Sequence, residues 1–244
     1  MRVPAHAGGR IPRVSHPRTS EYPAAVLFDL DGTLVDPAGG ITEGIAHALR
    51  LHELPVPTRE VLDSLVGPPL AMGLVEIAGV PQDRVQDVVD SYREWYKATG
   101  MARSVVYPGI DEALGDLDAA GVRLAVTTAK PEPLAKLLLA MHGLDRRFEF
   151  IVGNPAEEAG GHPATESKEH LVRAAAQHLG VDPAACAVVG DRRFDMEAAT
   201  ATGARAVGAA WGFAPARELA DAGAEVEVQS PHELVAALLG TEGR

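Results

Sequence analysis

The run Ala24-Ala25-Val26-Leu27-Phe28-Asp29-Leu30-Asp31-Gly32-Thr33-Leu34-Val35-Asp36 constrains the fold of this chain more than any other stretch. A short apolar segment stops abruptly at two carboxylates spaced i, i+2, and Gly-Thr follows. An apolar run bounded by a turn signal reads as a buried strand. In open α/β sheets, ligands bind beyond the carboxyl ends of the strands. Two acids placed there suit a hard cation, and one of them can also attack an electrophile. Gly32 permits a sharp turn that brings backbone N–H groups close to an anion. On its own the stretch also fits a strand ending in an ordinary Asp-Gly turn. The rest of the chain weighs against that reading.

The 244 residues are enough for one large domain, or for a core with a small accessory domain. A hydrophobic content of 46% supplies ample core material. The formal net charge of −12 argues against a nucleic-acid partner. It does not argue against phosphate substrates, because a bound cation and lysines can reverse the field inside a cleft. Cys186 is the only cysteine and lies in an apolar run, so it reads as a buried thiol. The nine histidines show no zinc-like spacing. No apolar run approaches the roughly 18 residues that a membrane span requires. The first 25 residues hold no apolar signal-peptide core, so a cytoplasmic location is expected.

Residues 1–22 are rich in Gly, Pro, His and Arg and read as a mobile tail. After Asp36 the pattern turns helical, with Ile41, Ile45, Ala48 and Leu49 on one face. Thr58 with Val61, Leu62 and Leu65 looks like a capped helix. Gly67-Pro68-Pro69-Leu70 is a break. Val85, Val88, Val89, Tyr92, Trp95 and Tyr96 form a buried seam on the next helix. Residues 37–106 therefore read as an all-helical insertion. Beyond Tyr107 strand and helix signals alternate, which implies βαβ units and a mostly parallel sheet. The expected strands are Val122–Thr127, Phe148–Val152, Ala185–Val189, Ala204–Val207 and a short edge strand at Val226–Val228. The expected helix faces are Leu134, Leu137, Leu138 and Met141; then Leu171, Val172, Ala175, Ala176 and Leu179; and last Glu233–Leu239. Asn154–Ser167 reads as a polar loop.

Four positions with chemistry fall at strand ends or a helix start: Asp29 with Asp31, Thr127-Thr128, Lys168, and Asp191 with Asp195. Phosphoryl transfer needs these residue types. One aspartate attacks phosphorus, and a second acid protonates the leaving oxygen and later activates water. A hydroxyl and an ammonium hold the non-bridging oxygens, and Mg²⁺ takes carboxylate ligands.

Asp29-Leu30-Asp31-Gly32-Thr33 resembles the first motif of the haloacid dehalogenase-like hydrolases, which are mostly phosphatases. Within that superfamily the chain most resembles the phosphoglycolate phosphatase-like branch, from about Ala24 to near the C-terminus. The resemblance implies an α/β, Rossmann-like parallel-sheet core (23–36 and 107–244) with an inserted all-helical cap (37–106). It implies Asp29 as nucleophile and Asp31 as general acid/base, with the Asp31 main-chain carbonyl a metal ligand. It further implies Thr128 as the second-motif hydroxyl, or Thr127 if the register shifts by one. Lys168 matches the phosphate-binding lysine, and Asp191 the carboxylate ligand of Mg²⁺. Asp195 matches the residue that orients metal-bound water or Lys168. Gly32, Thr33, Thr128, Ala129, Lys168 and Gly67 are the expected substrate contacts. Ala129 stands where the family often has Asn or Ser. Gly67-Pro68-Pro69-Leu70 resembles the loop that such caps lower toward substrate.

The implied activity is a Mg²⁺-dependent phosphatase for a small phosphorylated metabolite, with the chain a monomer or homodimer. Asp31 disfavours a dehalogenase or phosphonatase, which lack this second acid. A phosphomutase stays open, as does a phospho-accepting signalling protein without turnover. Lys130 is either a second cation near the phosphate or a residue over the sheet edge, and at least one of Arg192 and Arg193 is expected at the surface.

Overall fold

A computed structural model describes residues 22–154 and 167–240. The expected tail lies outside the described residues except for Tyr22, as does most of the expected loop between Asn154 and Ser167. In chain order the elements are β1 (Ala25–Phe28), β2 (Val35–Asp36), α1 (Gly40–Leu51), α2 (Arg59–Ser64), α3 (Leu70–Glu76), α4 (Val85–Trp95) and β3 (Val105–Val106). There follow α5 (Ile110–Ala119), β4 (Arg123–Pro131), α6 (Glu132–Met141), β5 (Phe150–Asn154), α7 (Glu169–Leu179) and β6 (Cys186–Gly190). The last are α8 (Arg193–Thr202), β7 (Arg205–Ala209), α9 (Glu218–Asp221), β8 (Val226–Val228) and α10 (Pro231–Leu239).

Six strands form one parallel sheet in the order β5-β4-β1-β6-β7-β8. Along β1 the side chains alternate between faces. Val26 and Phe28 join the core that holds Ile110, Leu114, Leu117, Leu138 and Leu234. Ala25 and Leu27 join the opposite core, with Val172, Ala176, Val188, Met196 and Ala199. Both faces of β1 are thus covered, and the strand is apolar throughout, as a central parallel strand must be. From β1 the chain order runs outward to β4 and β5 on one side and to β6, β7 and β8 on the other. That reversal opens a crevice at the carboxyl ends of β1, β4 and β6.

The cap is inserted immediately after the first motif. The chain leaves on β2 and returns on β3, which pair antiparallel through Val35–Val106 and Asp36–Val105. Between them all regular structure is helical. The buried seam of α4 is Val85, Val88, Val89 and Tyr92, and it continues to Tyr96 in a π turn, Tyr96–Gly100. Gly40 lets α1 approach this turn, since a Cβ there would lie 2.3 Å from the Gly100 carbonyl oxygen.

Three local expectations need correction. The buried face of α6 is Ala135, Leu138 and Leu139, while Leu137 and Met141 are 51% and 49% exposed. Both sets satisfy helical spacing, and the packing against the sheet selects the one beginning at Ala135. Thr58 occupies the N-cap of α2 in extended conformation, but its hydroxyl makes no capping bond. The break ends at Pro69: Leu70, expected within it, is the first residue of α3, whose Leu74 is buried and whose Leu70, Ala71 and Val75 pack against the core.

Candidate active site

Asp29 lies one residue past the Phe28–Val126 and Phe28–Val189 pairs, and its N–H donates to the Val189 carbonyl at 2.8 Å. Asp191 lies just past the end of β6. The parallel register therefore brings the ends of β1 and β6 level, and their aspartates together. Asp29, Asp191 and Asp195 are all buried, with one carboxylate oxygen of each within 4.8 Å of the others.

Each carboxylate is held from a different direction. Lys168 caps the start of α7, and its Nζ stands 2.9 Å from Asp29 Oδ1 and donates to Asp195 Oδ1 at 2.7 Å. One ammonium thus stands between the Asp29 and Asp195 carboxylates. Asp195 Oδ2 accepts the Arg192 N–H at 3.3 Å. Asp191 Oδ1 accepts from the Thr33 hydroxyl at 3.2 Å, and Asp191 Oδ2 accepts the Phe213 N–H at 2.8 Å. Two glycines make room for Asp191: a Cβ at Gly32 (φ +91°) or at Gly212 would lie 2.2 or 2.3 Å from its side chain.

Gly32 and Thr33 therefore bear on Asp191 and do not line the cavity above Asp29. Their N–H groups donate to Val35 and Leu30 carbonyls, which leaves them unavailable to an anion in this arrangement. The turn is tight, as expected of Gly32, and the space it leaves is filled by the Asp191 carboxylate. Trp211–Phe213 completes the surroundings of Asp191, with Trp211 Nε1 donating to the Thr33 carbonyl at 3.1 Å. Sequence reasoning missed this segment. Its only signal was an aromatic-Gly-aromatic triplet just beyond an apolar strand.

Asp31 lies beside the cavity. Its Oδ2 is 2.8 Å from Lys130 Nζ, and its Oδ1 has no hydrogen-bond partner. Burial pushes the Asp31 carboxyl above its ordinary value, and Lys130 pulls against that shift. Lys130 is buried, which works against its charge, but Asp31, Tyr96 and Tyr92 together hold it protonated. Its Nζ lies 4.5 Å from the centre of the Tyr96 ring, a cation–π contact from the core to the cap. Of the two positions left open for Lys130, the structure shows the one at the site.

The cavity between cap and core contains about 810 Å³ of atom-free space, part of it open to solvent. Asp29, Asp31, Thr128, Ala129 and Lys130 face it from the core, and Gly67–Leu70, Tyr92 and Tyr96 from the cap. Thr128 lines it and Thr127 does not, although both are buried. Thr128 Oγ1 accepts the Lys130 N–H at 3.2 Å. The Ala129 carbonyl accepts from Asn154 Nδ2 at 2.9 Å. Asn154 thus supplies an amide to the cavity wall where Ala129 has no polar side chain.

Three buried carboxylates face one lysine, so the acid cluster is under-compensated. Burial is the main reason Asp191 is pushed up to about 8, with repulsion from Asp29 and Asp195 adding to it. Burial likewise pushes Asp195 up to about 6, against the pull of Lys168. Lys168 stays protonated because Asp195 and Asp29 outweigh its own desolvation. A buried, all-oxygen donor set with excess negative charge fits a hard divalent cation. This has a consequence for stability. A carboxyl raised above its unfolded value of 3.8 binds more protons in the folded state, so stability falls as pH rises between the two values. In EDTA the melting temperature is expected to fall by on the order of 5 °C from pH 5.5 to pH 8. Excess Mg²⁺ should flatten that slope. A metal-free melting temperature that rises over this interval would contradict the account.

A profile described as haloacid dehalogenase-like hydrolase matches residues 26–209. The chain belongs to the haloacid dehalogenase-like hydrolase family. It is 34% identical over 194 residues to a 5'-nucleotidase of Pseudomonas aeruginosa, covering 80% of this chain and 86% of that protein. It is 38% identical over 206 residues to the tyrosine-protein kinase PtkA of Mycobacterium tuberculosis, covering 82% of this chain but 66% of the kinase's length. It is 32% identical over 195 residues to a phosphoglycolate phosphatase of Xanthomonas campestris, covering 79% of this chain and 85% of that protein. Among solved structures, a predicted phosphatase of Clostridium acetobutylicum superposes with a TM-score of 0.83 at 33% identity, covering 90% of this chain and 99% of that one. The phosphoglycolate phosphatase-like resemblance and the capped Rossmann-like core both hold.

Proposed function

We propose that this chain is a Mg²⁺-dependent phosphatase that hydrolyses a small organic phosphate monoester through an aspartyl-phosphate on Asp29. One observation carries the reading: a buried Asp29 faces the cavity beside an ammonium, and a second acid, Asp31, faces the same cavity two residues on. Phosphatase names among relatives that align over most of both chains support it.

The roles follow from position. Asp29 and Asp191 would hold Mg²⁺ with the Asp31 main-chain carbonyl, and Asp195 would fix Lys168. When bound, the ion offsets charge on the phosphoryl oxygens. An Asp29 oxygen attacks phosphorus, and the bond from phosphorus to the alcohol oxygen breaks. Asp31, protonated, gives its proton to that oxygen. Lys168 and Thr128 hold the non-bridging oxygens as charge builds on them. The Asp31 carboxylate then takes a proton from water, which attacks phosphorus, breaks the bond to Asp29 and frees orthophosphate.

The test is phosphate release from a panel of phosphoglycolate, nucleoside monophosphates, sugar phosphates and pyrophosphate, with Mg²⁺ or with EDTA. Mg²⁺-dependent release from at least one ester is expected. The identity with a protein named as a tyrosine kinase favours a second reading, phosphoryl transfer to another acceptor. Phosphate appearing on an acceptor protein with no release of orthophosphate would favour it, whereas a phosphate that persists on the chain without turnover would mark a phospho-accepting signalling protein. Interconversion of sugar phosphate isomers would mark a mutase.

A further inference from the structure

Arg192 follows directly on Asp191 and is 4% exposed, although it is charged. Its main chain belongs to the acid cluster, since the Arg192 N–H donates to Asp195 Oδ2. Its side chain runs the other way, into the cap. There Nη1 donates to the Ser64 carbonyl at 3.3 Å and to the Val66 carbonyl. These oxygens lie at and just beyond the end of α2, where helix carbonyls lack intrahelical partners. On the core side Arg192 Nε donates to Glu218 Oε1 at 2.9 Å, and the same oxygen accepts the Arg193 N–H at 2.9 Å. Arg193 itself extends to Glu197 at the surface, as expected of one of the pair. The guanidinium is thus held by Glu218 through Nε and Nη2 and reaches the cap through Nη1.

The cap loop is shaped around this side chain. Gly67 has φ +104°, and a Cβ there would lie 2.5 Å from Arg192 Cγ. The next residues, Pro68, Pro69 and Leu70, line the cavity above Asp29 and Asp31. A bare glycine laid against the arginine stem therefore leads straight into the substrate wall.

We propose that Arg192 is a positioning residue that fixes the height of the cap loop Ser64–Leu70 over the aspartates, and so sets which leaving groups the site accepts. A planar fork with several fixed donors suits the task, because it binds two carbonyls and a carboxylate at once. Lysine cannot reproduce that geometry. A side chain at Gly67, as in Gly67→Ala, is expected to push the loop off Arg192 and to raise exchange at the same amides.

The kinetic part rests on the phosphatase reading, and the exchange part does not. Arg192→Met, Arg192→Lys and Gly67→Ala are compared with wild type in the full chain. In Arg192→Met, amide exchange at Leu65, Val66 and Gly73, whose N–H groups donate to the Leu62, Asp63 and Pro69 carbonyls, is expected to accelerate about ten-fold or more, with α5 and α7 unchanged. The ratio of kcat/KM for p-nitrophenyl phosphate to that for acetyl phosphate is expected to shift about five-fold or more, through KM more than kcat. Arg192→Lys, which keeps the charge and the fold, should show the same pattern. It stands in for the methionine variant if that variant does not fold. Loop exchange equal to wild type overturns the proposal, and so does an unchanged substrate ratio. Should neither ester be hydrolysed, the phosphatase reading fails and the exchange result alone decides the positioning role.

Discussion

Asp29→Asn is expected to lower kcat for phosphate release by on the order of 10⁵-fold or more, the usual scale for loss of a covalent nucleophile. The substitution keeps shape and removes only the charge that attacks. It should do little to fold the site differently, because Asp195 still pairs Lys168 at 2.7 Å. It also relieves one of the repulsions acting on Asp191 and on Asp195. In EDTA the variant is therefore expected to melt no lower than wild type, as is common where an active site sacrifices stability for function. With fewer charged ligands, it should gain less from Mg²⁺ than wild type does. Steady-state phosphate release and melts with and without Mg²⁺ check both halves. Residual turnover above about 1% of wild type, far over the scale expected for a lost nucleophile, would place the attacking group elsewhere.

Asp29 and Asp191 could be read from the sequence because each sits where an apolar strand stops at a carboxylate, and parallel register does the rest. The seam of α7 was equally plain, and so was that of α4 except at Trp95, which is only half-buried. What could not be read is what depends on loops meeting across the fold. Thr33 reaches Asp191 over 158 positions, and Trp211 reaches the Thr33 carbonyl over 178. No spacing rule links such positions. Gly32 shows the same limit: its turn was legible, but which group would occupy the space beside it was not. The sequence leaves Lys130 open between a cation near the phosphate and a residue over the sheet edge, and expects at least one of Arg192 and Arg193 at the surface. The meaning of Lys130 and Arg192 comes from the cap, which lays Tyr96 against the first and the Ser64 and Val66 carbonyls against the second.

Lys168→Met separates two duties that one ammonium performs. Lys168 is 4% exposed and stands between Asp29 and Asp195, so its removal leaves two buried carboxylates without their shared counter-charge. Breaking a buried ion pair by deleting one partner costs about 3–5 kcal/mol. For a domain of this size that corresponds to a fall of roughly 10 °C in metal-free melting temperature at pH 7.5. The carboxylates can answer by taking up protons. The deficit should therefore shrink as pH falls toward 5, because protonated Asp195 needs no partner. Excess Mg²⁺ should recover part of the loss at pH 7.5, since it brings positive charge to the same cluster. The second duty is toward substrate, where loss of the donor to the phosphoryl oxygens should lower kcat by about 10²–10³-fold even with Mg²⁺ present. Lys168→Arg distinguishes the two. It restores charge, so most of the stability should return, but its longer fork cannot place one nitrogen between Asp29 and Asp195 as Nζ does, so kcat should stay low. Melts across pH with and without Mg²⁺ read the first duty, and kcat at saturating substrate reads the second. A methionine variant that melts within about 2 °C of wild type at pH 7.5, a shift worth under 1 kcal/mol, would mean that the acids are not held in place by Lys168. The positive end of α7 and solvent would then have to carry the charge that the geometry assigns to this side chain.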